Sequence, residues 1–473
     1  MNLLTRSPFF RNFLVIPLVL GLPLVSVVSH NSSIPSYAMT TQAHPNSQID
    51  NQIIALTLIN HLVQGNFPEA TTNFSPEMRR SVTAEQLQQV WIALTKDLGD
   101  FQQIKDVTRQ TLEDKDVFII VCQFAKNSLR VRIVVDRGGN SLSEGNRQIA
   151  GLQILPNQVA QVFAPPSYAD PNKFQEQEVQ IGTGANPLPG TLTIPKGSGT
   201  FPVVVLVHGS GPNDRDETIG ANKPFRDLAW GLASLGIAVL RYDKRTLVYP
   251  QEFQGNITIQ EEVVDDAIAA VALLRQNPQI NPSKIYVLGH SLGGMVIPRI
   301  GMRDNQIAGL ITLAAPTRPF EDLFLEQTIY LTGLDGTVSE PEQKLIDGIR
   351  QQVEIIRNAA WDNLPANTLL LGTPISYWQD LRGYNPAIAS QGLSQRLFIL
   401  QGERDYQVTM EDFRGWQVAL NDRPNATLKS YPQLNHLFIP GTGIPSPAEY
   451  QVPSHVAEIV IKDIASWINS PIP

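Results

Sequence analysis

Apolar residues along this chain follow two successive rhythms. Between residues 49 and 155 a helical period comes first and strand-like runs follow. "IIALTLINHLV" sets Ile53, Leu56, Ile59, Leu62 and Val63 at helical spacing. "TAEQLQQVWIALTKDLG" opens with Thr83 and Gln86 in capping-box spacing and stops at Gly99. "VFIIVCQF", "LRVRIVV" and "QIAGLQIL" then read as strands, separated by turn residues such as Arg137-Gly138-Gly139-Asn140. Helices followed by strands predict a small α+β domain over 49–160. "PPSYADPNKFQE" is rich in proline and polar residues, and the stretch 161–177 reads as a linker.

From residue 178 to 473 strands alternate with helices. "VVVLVHG" is a continuous β-branched run suited to a central parallel strand buried on both faces. "PFRDLAWGLASLG" reads as a helix with Pro224 at its start and Gly236 as its stop. "IAVLRYD", a helix over 261–276, "KIYVLGH" and "IAGLITLAA" continue a doubly wound, mostly parallel βαβ series. At Pro316 the alternation halts for about eighty residues of helix-like text and resumes at "RLFILQG". That insertion, 316–395, reads as a helical lid over the strand ends. Helix "MEDFRGWQVALN", strand "ATLKSYP" and a final helix from about Pro453 to Trp467 complete the series.

Composition narrows the classes. Hydrophobic content is 42%, charged content 17% and net charge −8, with no long Lys/Arg run, which speaks against nucleic-acid binding by phosphate neutralisation. Arg6 and Arg11 precede an apolar stretch, Phe13 to Val28, broken by Pro17, Gly21 and Pro23, and Ser36-Tyr37-Ala38 offers small residues for cleavage. Residues 1–38 read as a signal peptide and 39–48 as a leader, so export to the periplasm or medium is expected. An uncleaved anchor is the alternative; after cleavage no stable membrane insertion is expected. The one cysteine, Cys122, excludes an intramolecular disulfide and reads as a buried small hydrophobe.

Chemistry concentrates at "YVLGHSLGGMVIPRI". Gly289-His290-Ser291-Leu292-Gly293 fits the Gly-x-Ser-x-Gly turn between a strand and a helix, where a serine is presented in a strained conformation among small neighbours. A serine hydroxyl needs a base, and the base an orienting acid. His436, in a loop after a strand, is the candidate base ahead of His455 in the opening turn of the last helix. Asp405 in "LQGERDYQV" is the candidate acid, with Glu403 as runner-up. Ser, Asp, His is the α/β-hydrolase order. The oxyanion needs two backbone N–H donors, expected at Leu292 and, from "HGSGPND", at Ser210. Asp214, Arg215, Asp216 and Glu217 read as an ion network that steadies this loop rather than a substrate site, and Asp243 of "RYDKR" as a tie for its own loop. Tyr377 and Trp378 are candidates for lining the acyl or leaving-group pocket, with lid core as the alternative. Neither a phosphate loop nor metal-ligand spacing occurs, so no cofactor and no metal are expected.

Residues 178–470 resemble the α/β-hydrolase fold family through "HGSGP", "GHSLGG", "GERD" and "NH". The stretch from "VHGSGPNDRDE" to "RYDKRT" is similar to secreted bacterial hydrolases of the prolyl oligopeptidase-like and dienelactone hydrolase-like branches. In such proteins a small domain, thought to be cystatin-like, often precedes the hydrolase, which implies one at 49–160. The resemblance implies a serine hydrolase acting on small-molecule esters or short peptides. It leaves carboxylesterase, peptidase or aminopeptidase, and thioesterase open; Ser291 disfavours dehalogenases, which use aspartate there. A non-catalytic envelope binding protein is the contrasting reading, opposed by the intact Ser291, Asp405 and His436.

Overall fold

The structure, a computed structural model, describes residues 46–471 apart from 97, 113–114, 138–146, 157–162, 183–185, 254–256, 363 and 366–367. The expected signal segment, most of the leader and the Gly138-Gly139-Asn140 turn lie outside the described residues. The chain divides into two compact units between residues 162 and 163.

In the first unit α1 (Asn46–Gln64), two short helical turns and α2 (Ala84–Thr95) precede β1 (Phe101–Leu112), β2 (Lys115–Phe124), β3 (Ser128–Asp136) and β4 (Ile149–Pro156). The strands form an antiparallel sheet in sequence order. The capping box is present: the Thr83 N–H donates to Gln86 and the Gln86 N–H to the Thr83 hydroxyl. Helix α1 buries Ala55, Leu58, Ile59 and Leu62, whereas Ile53 is exposed, so the buried stripe is rotated from the expected one. It packs on alternate strand residues such as Phe118, Ile120, Cys122, Val131 and Ile133. Burial pushes the Cys122 thiol up to about 12, which makes it unreactive. Strand β1 carries no apolar run; it is a Gln- and Thr-rich edge paired only to β2, and only the fold reveals it.

The second unit starts earlier than expected. Tyr168 donates its hydroxyl to the Val456 carbonyl at 2.8 Å. Strand β5 (Phe174–Ile181) pairs antiparallel with β6 (Leu188–Pro195). The described part of the expected linker therefore belongs to this unit, because Phe174 is buried and Phe163 and Tyr168 half-buried against it. Then follow β7 (Phe201–Val207), α3 (Pro224–Ser234), β8 (Ala238–Tyr242), α4 (Asp265–Arg275), β9 (Ile280–His290), α5 (Leu292–Arg303) and β10 (Gly309–Leu313). After the insertion come β11 (Arg396–Gly402), α10 (Met410–Leu420), β12 (Ala426–Tyr431) and α11 (Glu458–Asn469); helices α6 to α9 lie in the insertion and are described below. The eight-stranded sheet runs β12-β11-β10-β9-β7-β8-β6-β5, parallel except at β6 and β5. Val203, Val205 and Val207 of β7 face α4, α5 and α10, while Val204 and Leu206 face α3 and α11. That is why the strand reads as an unbroken apolar run.

The insertion is α6 (Phe320–Thr332), α7 (Glu340–Arg357), a two-residue-strand hairpin, α8 (Ile375–Leu381) and α9 (Pro386–Ser390). Only its first part is lid-like. Tyr377, Leu381 and Ala387 join the core on one face of the main sheet, so α8 and α9 belong to the helix layer. The last helix begins at Glu458, not Pro453. His455 precedes it, with Nδ1 3.0 Å from Asp227 Oδ1. Among the described residues no helix is long and apolar enough to cross a membrane.

Candidate active site

Ser291 stands between β9 and α5 with φ 53° and ψ −119°, in the left-handed half of backbone space that a serine avoids. The turn holds because its neighbours have no side chain. A Cβ on Gly289 would lie 2.3 Å from the Gly293 carbonyl oxygen, and one on Gly293 2.2 Å from that of Val207. The Ser291 N–H donates to the Leu313 carbonyl of the adjacent strand, which anchors the turn. Glu217, Ala314 and Phe438, in loops that follow other strands, also take positive φ, as do Ala359 and Leu371 in the insertion.

Ser291 and His436 line one cavity of about 380 Å³, with Ser210, Phe320, Leu323, Phe324, Leu331, Tyr406 and Tyr450 among its walls. His436 Nδ1 lies 2.6 Å from Asp405 Oδ2. An ionised carboxylate only accepts, so the proton is on Nδ1 and Nε2 keeps its lone pair. Asp405 is itself fixed: Oδ1 accepts the N–H groups of Gln407 and Val408 at 2.8 and 2.9 Å, and Oδ2 the Gln401 amide at 3.3 Å. Glu403 instead accepts the Ser430 hydroxyl at an exposed site, and His455 is tied to Asp227. Asp405, not Glu403, and His436, not His455, are the pair the fold brings together. Leu292 is the first residue of α5, where backbone N–H groups have no helical partner. Ser210 lines the cavity directly.

Tyr377 and Trp378 do not reach this cavity. Trp378 is buried among Ile356, Trp361 and Leu370 and donates its indole N–H to the Leu370 carbonyl at 2.8 Å. Tyr377 is buried in the sheet's core, where desolvation and the neighbouring Glu262 carboxylate hold its phenol well above the usual range. Tyr377 binds the α8 segment to the body, whereas Trp378 packs within the insertion itself, against Phe320 and Phe324 among others, and the insertion's contribution to the cavity comes from Pro316 and α6.

Two ionisable pairs behind the site escaped sequence reasoning. Glu217 Oε1 accepts the Gly209 N–H at 2.7 Å, and Oε2 lies 2.9 Å from His290 Nδ1. His290 Nε2 meets the His436 carbonyl oxygen at 2.9 Å. Carbonyl and carboxylate both only accept, so these surroundings favour the form of His290 with a proton on each ring nitrogen. Burial would lower the His290 pKa, but Glu217 and the His436 carbonyl outweigh it and the net shift is upward. Burial would raise that of Glu217, but His290, His208 and the Gly209 N–H hold it low. In the rest of "DRDE", Arg215 pairs with Asp243 and Glu178 and Asp216 with Arg241, Lys223 and Arg226, as the expected ion network requires, while Asp214 instead accepts the Asp216 and Thr218 N–H groups and the Thr218 hydroxyl. The second pair, Lys244 and Glu262, is buried beside Gly209.

The doubly wound sheet and the serine at its strand-to-helix turn define an α/β-hydrolase. The family described as serine aminopeptidase, S33, matches residues 201–440, and a family described as protein of unknown function (DUF3887) matches residues 55–152. Esterase EstD of Thermotoga maritima is 36% identical over 414 residues, covering 88% of this chain and 94% of that one. The chain belongs to this serine hydrolase family and is an enzyme of the hydrolase class. Among solved structures, 2,6-dihydroxy-pseudo-oxynicotine hydrolase is 16% identical with a TM-score of 0.40, covering 62% of this chain and 66% of that one. Est1E from Butyrivibrio proteoclasticus is 16% identical with a TM-score of 0.39, covering 62% and 97%.

Proposed function

We propose that the protein is an exported carboxylesterase that cleaves esters with apolar acyl groups through an acyl-enzyme on Ser291. In the first half-reaction the Ser291 Oγ–acyl bond forms as its proton passes to His436 Nε2. The carbonyl electron pair moves onto oxygen between the Ser210 and Leu292 N–H groups. Collapse expels the alcohol, which takes the proton from His436. Water then repeats the sequence, and the acid leaves. Asp405 keeps His436 in the required tautomer and steadies its charged form.

One observation carries the ester reading over the aminopeptidase reading that the family description suggests. An aminopeptidase needs a carboxylate to meet the substrate's ammonium group. Among the described residues the only acid lining the cavity is Glu217, already engaged by Gly209 and His290. The other walls are largely apolar or aromatic, which suits a neutral acyl chain. The name of the Thermotoga relative supports the same direction.

The test is hydrolysis of p-nitrophenyl acetate, butyrate and octanoate beside aminoacyl p-nitroanilides, with fluorophosphonate labelling of the full chain and of Ser291→Ala. Ester turnover and labelling that vanish together in Ser291→Ala are expected. Preference for the anilides would move the protein to the peptidases, and label retained by Ser291→Ala would return the site to a binding role. Export is tested by the mass of the mature chain in an envelope fraction, expected to lack residues 1–38.

A further inference from the structure

The motif "RYDKR" ends strand β8 with three consecutive ions, and Asp243 takes the part expected of it by holding Arg215. Lys244 has no such surface role. It is 2% exposed, and a lysine this buried has to be fully partnered. Its Nζ donates to the Gly209 carbonyl at 2.8 Å and pairs with Glu262 Oε1 at 2.6 Å. The Gly209 carbonyl belongs to the same peptide unit as the Ser210 N–H. In a trans peptide the two point in opposite directions, and the structure contains no cis bonds among the described residues. A cation on the carbonyl oxygen draws electron density from the nitrogen and enlarges the positive charge on the Ser210 hydrogen. It also fixes the direction of that hydrogen. The preceding peptide is gripped too, because the Gly209 N–H is held by Glu217 at 2.7 Å, and Asn213 Nδ2 gives the Gly209 carbonyl a second donor at 3.2 Å.

We propose that Lys244 is a positioning residue of the oxyanion hole, aligning and polarising the Gly209–Ser210 peptide for the charged tetrahedral intermediate. The proposal rests on the esterase reading above. Lys244 touches no reacting atom and acts through the Ser210 N–H. Glu262 balances its charge in the dry interior. The effect belongs to the transition state, when the substrate oxygen becomes an anion, and is small in the ground state, when it is a carbonyl.

The experiment compares the full-length wild type with Lys244→Met/Glu262→Gln, which removes both buried charges together, and Lys244→Gln/Glu262→Gln, which keeps a neutral donor for the carbonyl. Steady-state kinetics on p-nitrophenyl butyrate are read beside the inhibition constant of an alkyl trifluoromethyl ketone, whose hemiketal oxyanion occupies the same hole. A structural role alone would not tie these two numbers together. For the Met variant kcat should fall about 10- to 100-fold, less than the loss of a whole oxyanion donor. KM should stay within twofold, and the inhibition constant should rise by the factor that kcat/KM falls. The Gln variant should lie between the Met variant and wild type. A folded Met variant with kcat within threefold of wild type, or an inhibition constant unmoved while kcat falls, overturns the proposal. If the Met variant does not melt cooperatively, the Gln variant decides by the same two criteria. Wild-type protein that turns over no ester and takes no fluorophosphonate label at Ser291 would instead overturn the esterase reading, a result visible before any variant is made.

Discussion

At the scale of single residues, catalysis depends on who hydrogen-bonds whom. Asp405 Oδ2 fixes the His436 tautomer, so Asp405→Asn should lower kcat by about 10⁴, the cost of a reversed tautomer in serine proteases. Glu403→Gln, exposed and two residues away, should stay within a few-fold of wild type. Equal losses in both, measured on p-nitrophenyl butyrate, would dissolve the assignment of the acid. Glu217 and His290 offer a pH signature. Glu217 is held below its ordinary value, so its contribution to stability is present above the ordinary glutamate pKa of about 4.3 and lost as pH falls through the lowered one. His290 is held above its ordinary value, so its contribution is present below about 6.5 and lost as pH rises through the raised one. The melting temperature lost in Glu217→Gln should therefore be greatest between about pH 4.5 and 6.5 and shrink on either side. A pH-independent difference would mean that the pair is not charged.

At the scale of elements, α6 shapes the pocket and α8 holds the insertion to the body. Phe324 on α6 lines the cavity beside Leu323 and Leu331. Phe324→Ala should shift the ratio of kcat/KM for octanoate over acetate esters by an amount equivalent to about 1–3 kcal/mol. Trp378→Ala should instead cost about 3–5 kcal/mol of stability, as large aromatic deletions in cores do, with a smaller change in that ratio. Chain-length profiles and denaturant melts of the two variants check this. If the ratio moved only in Trp378→Ala, specificity would belong to α8 after all. Helical spacing and aromatic content were legible in "SYWQDLRGYNP". Which face met the cavity was not, because burial in a core and burial around a ligand leave the same apolar signature.

At the scale of the whole molecule, each unit carries its own hydrophobic core. A chain beginning at residue 163 should fold and retain ester hydrolysis. A chain beginning at 178 loses half of β5, the buried Phe174 and the half-buried Tyr168, and should lose several degrees of melting temperature or solubility, since it leaves Leu192–Pro195 of β6 unpaired on that side. Melting curves and ester assays of the two truncations test the boundary. Equal stability would restore 163–177 to the role of a linker.

What the sequence determined by itself was local. Glycines around Ser291 are demanded by backbone sterics within one turn, β-branched runs by strands buried on both faces, and Ser291, Asp405 and His436 by the loops in which they stand. These signals sit within a few residues of one another or repeat along a strand, and they survive in one dimension. Tertiary structure decided the rest. Strand β1 is polar because it is an edge, and it exists through pairing rather than pattern. Tyr377 turns into the core on one face of the main sheet and Trp378 into the core of the insertion, each decided by what packs beside it. Glu217 meets His290, and Lys244 meets Gly209 and Glu262, only because three loops converge at one end of the sheet. Burial turns those pairings from weak surface contacts into fixed geometry, and burial is a property of the folded chain.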